Sequence, residues 1–167
     1  MTTTMKSSFV GLLFSLSATL GNAEEGGEVT LTIAGQDYVL PLHAEQSDWS
    51  GSRDYGSVSI TVRPTDNATR EKFRGFNIGF EFGGDQASNP EARLARIAAG
   101  DVEQLFGKAD TGGLSVQIQS VSVSGDELTI AGTFSGVLGA SSDYGRTIDQ
   151  ANSVPVSGSI AVTLGPV

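Results

Sequence analysis

Along most of this chain, apolar and polar residues alternate with the two-residue period of a pleated strand. The longest such stretch is Gly113 to Leu138. Leu114, Val116 and Ile118 alternate with Ser115, Gln117 and Gln119, and Val121 and Val123 then continue on the opposite parity. One inserted residue re-aims every side chain after it, so a bulge is predicted near Gln119-Ser120. Ser124-Gly125-Asp126 turns the chain, and Leu128, Ile130 and Phe134 return on one face.

The same period recurs on both sides of this hairpin. Val29, Leu31 and Ile33, then Tyr38, Leu40 and Leu42, predict an opening hairpin turned at Gly35-Gln36, with Pro41 confining the second strand to an edge. Val58, Ile60 and Val62 form a strand ended by Pro64. Phe76, Ile78, Phe80 and Phe82 place four large side chains on one face, the thickest part of the predicted core. Val154, Val156, Ile160, Val162 and Leu164 share the parity of a last strand.

One stretch reads as helical. Asn89-Pro90-Glu91 supplies an N-cap, a first-turn proline and an acid, Leu94 and Ile97-Ala98 fall at helical spacing, and Gly100 is a stop. Together these elements predict an all-β fold: a two-layer antiparallel β-sandwich of about eight strands with one short helix. Leu31–Gly35 recurs as Leu128–Gly132, and Asp54-Tyr55-Gly56 recurs as Asp143-Tyr144-Gly145, at unequal spacings. Strand and turn chemistry draws on few residue types, which accounts for both matches.

Composition changes this picture at the N-terminus. Lys6, the apolar run Phe9–Leu20 and the small residues Gly21 and Ala23 have the layout of a secretory signal. The expectation is cleavage after residue 23, export to the periplasm or beyond, and a single domain over 24–167 without a membrane span. The chain has no cysteine, so neither a disulfide nor a thiolate enters its chemistry, and an exported domain without disulfides points to a bacterial source. Nineteen acids against ten Lys and Arg give a net charge of −9. The basic residues are scattered along the sequence, which argues against nucleic acid as a partner.

Candidate chemistry is sparse. His43 is the sole histidine, and no serine sits in a Gly-x-Ser-x-Gly elbow, so no hydrolytic triad is written in the chain. No phosphate loop or zinc ligand set is present, and no cofactor is expected. The loop His43–Gly56 gathers the best candidates for a ligand site: Trp49 and Tyr55 to stack a sugar ring, and Asp48 and Asp54 to accept hydrogen bonds or, as weaker candidates, to hold a cation. Tyr144, in a later polar loop, is a further candidate. The expectation is an exported, non-enzymatic module that binds a saccharide or another envelope component. The alternatives are a structural or adhesive protein acting through sheet edges or contacts with an envelope protein, and a small outer-membrane barrel.

Overall fold

A computed structural model describes residues 26–167. The predicted export segment, residues 1–23, lies outside the described residues. The fold is all-β and antiparallel, as the alternation requires. Its strands are β1 (Gly26–Ile33), β2 (Gln36–Pro41), β3 (Asp48–Gly51), β4 (Tyr55–Val62), β5 (Phe73–Gly83), β6 (Gln86–Ala98), β7 (Asp101–Lys108), β8 (Ser115–Ser124), β9 (Glu127–Ala140) and β10 (Val154–Leu164). Ten strands thus stand where about eight were expected.

They form one curled sheet in the order β2-β1-β10-β9-β7-β6-β5-β4-β3, with β8 also on β9. Strand β9 makes the sheet continuous. Along one side it pairs with β10; along the other it pairs with β8 as far as Ser135 and then with β7 at Gly139 and Ala140. Curling brings the ends together. Leu42 bridges to Val62, and the His43 N–H donates to the Thr61 carbonyl at 2.8 Å. At the other end Trp49 bridges to Pro166.

The predicted inward faces are buried. Val58, Ile60 and Val62 on β4, the four residues Phe76 to Phe82 on β5, Leu128, Ile130 and Phe134 on β9, and Val156 to Leu164 on β10 belong to one core. The Phe76 and Phe134 rings stack across it at 5.4 Å, joining the two halves of the sheet. Strand β8 is covered less: Val116, Ile118, Val121 and Val123 are only half-buried, although its bulge falls between Ile118 and Ser120 as expected.

The predicted helix is not formed. Asn89 to Gly100 is the body and end of strand β6. Two residues of β6, Asn89 and Pro90, stand against Phe80 of β5, and Asn89 has φ 49°. The Asn-Pro pair that resembles a helix start is therefore a β-bulge, where a left-handed Asn and a Pro without N–H are both tolerated. Ala92 and Leu94 alternate into the core, and tertiary burial overrides the helical spacing. Gly100 closes a two-residue hairpin turn with Ala99. Among the described residues the one α-helix, α1 (Asn67–Arg70), lies instead between β4 and β5, capped by Asp66 accepting from the Thr69 N–H at 2.8 Å.

Two stability effects follow. Phe134→Ala removes a ring shared by both halves and is expected to cost about 3–5 kcal/mol in urea unfolding. Ala34 and Ala99 adopt φ 49° and 53°, each followed by a glycine at positive φ, the geometry that favours Asn-Gly. Ala34→Asn and Ala99→Asn should each stabilise the fold by about 1 kcal/mol, read as a higher midpoint at an unchanged urea slope.

Candidate anion-binding groove

The pleat that buries the core on one face of β4–β7 commits their other side chains to the outer face. Strand register then aligns them in rows. Thr61, Asn77, Arg93 and Phe106 stand directly opposite one another across β4, β5, β6 and β7. In the neighbouring row, Gly75, Ala95 and Gln104 face one another. Gly75 and Ala95 are small and the residues around them are long, so the face dips there. The resulting depression has a volume of about 380 Å³ and is walled by Arg63, Arg74, Arg93, Gln46 and Gln104.

A register shift in β5 between Phe73 and Gly75 makes this possible. Phe73 and Phe76 both point inward although three residues apart, and Arg74 between them is exposed on the groove. The bulge thus supplies both a core aromatic and a groove cation.

Two further depressions adjoin the first. One, of about 420 Å³, shares Arg63 and Arg74 with it and adds Arg70, His43 and Thr65. The other, of about 310 Å³, shares Asn77 and Arg93 and adds Lys108, Glu91 and Tyr144. No carboxylate lines the first two. Among the described residues, Arg63 is held by Gln46 Oε1 at 2.6 Å and Arg70 by the Pro64 carbonyl at 3.1 Å, and neither these nor Arg74 and Arg93 pair with an acid. Lys108 is neutralised by Glu91 at 2.9 Å, and that hydrogen bond and charge raise its pKa.

The residues expected to form a ligand site are placed differently. Trp49 is 5% exposed, and its Nε1 donates to the Asp126 carbonyl at 2.9 Å, in the turn between β8 and β9. The indole is a core residue and offers no open face to a sugar. Its loop is not open either. Ser47 Oγ accepts from the Thr61 N–H at 2.9 Å, a 3-10 turn spans Ala44–Gln46, and β3 pairs with β4. Asp48 is half-buried opposite Ser59, while Asp54 and Tyr55 are exposed at the β3–β4 turn. Among the described residues no cluster of three or more metal-ligating side chains occurs. His43 Nδ1 is buried without a partner, so no acid orients the ring as a triad would require.

Tyr144 is the one sequence candidate on the groove. It is 92% exposed at φ 58°, in a loop that folds over Phe106 at Gly145. That loop is fastened from within. Asp143 Oδ1 accepts from the Thr147 N–H and from Ser141 Oγ, both at 2.8 Å, and Ser141 Oγ accepts from the Gly145 N–H at 2.7 Å. Sequence reasoning missed the arginines because Arg63, Arg70 and Arg74, though close in the chain, lie on different elements, and only strand pairing brings Arg93 beside them. Compared with known proteins, the chain matches no family model, no curated protein and no solved structure.

The Asp143 contacts give a pH test. Thr147 first, then Ser141, hold its pKa at about 2, below the ordinary 3.8. A depressed carboxylate stabilises its loop fully above its unfolded value and loses that contribution as pH falls through about 2. The Thr147 amide resonance should therefore titrate with a midpoint near 2, and Asp143→Asn should abolish that step.

Proposed function

We propose that this chain is an exported, non-enzymatic binding module of the cell envelope that holds an anionic ligand in the groove across β4–β7. One observation carries the reading: Arg63, Arg70, Arg74 and Arg93, four of only ten basic residues in a chain of net charge −9, line adjoining depressions from which acids are absent. Guanidinium groups recognise carboxylate and phosphate through paired N–H donors. Asn77 Nδ2 donates to Thr61 Oγ1 at 2.9 Å and Gln46 Oε1 accepts from Arg63, which leaves Gln104, the Asn77 carbonyl, the Gln46 amide N–H and the Thr61 O–H for a ligand's remaining polar groups. The buried inner face and the polar outer face run opposite to the arrangement by which a barrel meets lipid, which favours this reading over an outer-membrane barrel.

A second reading, adhesion through a sheet edge, draws on β8. Ser115–Ser124 carries no charge, and among the described residues β9 is its one pairing partner. Its signature is self-association that Val121→Lys suppresses in sedimentation experiments.

The groove reading is tested by affinity electrophoresis in gels loaded with polygalacturonate or with neutral dextran. The protein should be retarded by polygalacturonate alone, and Arg74→Ala/Arg93→Ala should restore free migration with an unchanged circular dichroism spectrum. Equal mobility of the wild type in both gels would refute it.

A further inference from the structure

The three depressions are not separate sites. Arg63 and Arg74 form the wall common to the first and second, and Asn77 and Arg93 the wall common to the first and third. They run as one trough across the outer face of β4, β5, β6 and β7. Cations recur along it: Arg70 at one end, Arg63 with Arg74, then Arg93; at the other end Lys108 is paired with Glu91. Neutral hydrogen-bonding groups, Thr61, Asn77 and Gln104, are interleaved with them. Each chamber, at 310–420 Å³, lies at the small end of ligand cavities, which run to roughly 1,000 Å³.

From this arrangement we infer that the ligand is a linear acidic polysaccharide laid along the trough. Its acid groups meet successive arginines, and one sugar ring is capped by Tyr144. The inference rests on the anionic-ligand reading above and adds the class and length of the ligand. Repeated charges with hydroxyls between them match the order of the groove's side chains. A small monovalent anion would leave most of those side chains unused. Tyr144 is suited to stacking because its ring is 92% exposed while its backbone is fixed by the Ser141 and Asp143 hydrogen bonds. Single-stranded nucleic acid fits the trough less well. Successive bases need successive aromatic platforms, and Tyr144 at one end is the one exposed aromatic along it.

The experiment is calorimetric titration of the mature chain with galacturonate and its oligomers of increasing length. Single-stranded oligodeoxythymidylate of equal charge serves as the competing polyanion. Affinity should rise at least tenfold from monomer to tetramer and exceed that for the oligonucleotide. Arg93→Ala, at the centre, should weaken every length roughly tenfold or more, the loss expected for a charged hydrogen bond. Arg70→Ala and Tyr144→Ala, at the two ends, should weaken only the longer oligomers. Length-independent affinity, or end variants that bind the tetramer as the wild type does, would overturn the polysaccharide inference while Arg93→Ala still upholds a single-anion site. Tighter binding of the oligonucleotide would overturn it in favour of nucleic acid. If the wild type binds no length at all, the anionic-ligand reading itself fails.

Discussion

Phe134 lies against Gly158, its direct partner on β10, and stacks on Phe76 of β5 across the core. A Cβ at position 158 would come within 2.7 Å of the Phe134 ring and 1.9 Å of the Thr30 carbonyl oxygen, so the contact exists only because residue 158 has no side chain. The other half of the sheet repeats the device, with Phe82 of β5 covering its cross-strand partner Gly56. Each ring fills the gap its glycine leaves and brings the backbones close enough for the sheet to curl. With the rings inside, the pleat fixes the facing of the residues that alternate with them, save where a bulge intervenes as at Arg74. Burying Phe76 and Ile78 puts Asn77 outside, and burying Ala92 and Leu94 puts Arg93 outside beside it. The groove is the complement of the core.

This dependence explains what could be read from the sequence. Facing along a single strand is a local property with period two. The inward residues of β4, β5, β9 and β10 were therefore legible, as was the bulge in β8 where the parity slips. Proximity between strands is a property of register, which alternation does not encode. Arg63 and Arg74 are near one another in the chain, but nothing in the sequence joins Arg93 to them until Asn77 is known to face Arg93 and Gly75 to face Ala95.

The two misread segments fail for local reasons. At Asn89-Pro90 the same residue types satisfy a helix start and a β-bulge: Asn caps a helix with its side chain or takes a left-handed φ in a bulge, and neither place requires an N–H from Pro. The choice is made by the partners of β6, which has a strand on either side. In His43–Gly56, a polar composition suggested an open loop. A hydroxyl from Ser47, a short 3-10 turn and a four-residue strand instead tie it to β4 and carry Trp49 inward. A single large aromatic among polar neighbours is ambiguous between platform and anchor. Here the anchor wins because the Asp126 carbonyl satisfies the indole N–H in the interior.

The contrast between the groove and the rest of the protein bears on how a ligand would be chosen. At a distance a net charge of −9 repels any polyanion, and that repulsion fades beyond about 8 Å at physiological salt. The arginines would therefore act only on a ligand that had already come close, unlike a basic protein whose field gathers polyanions from afar. Added salt would weaken the short-range attraction and the longer-range repulsion together, so the two effects partly cancel. On the proposed reading, selection would then fall to the side chains in the trough, where charge spacing, amide partners and a terminal aromatic would all have to be met at once. An acidic protein with a local basic groove gains specificity from this arrangement, because non-specific attraction to other polyanions is suppressed by its own surface.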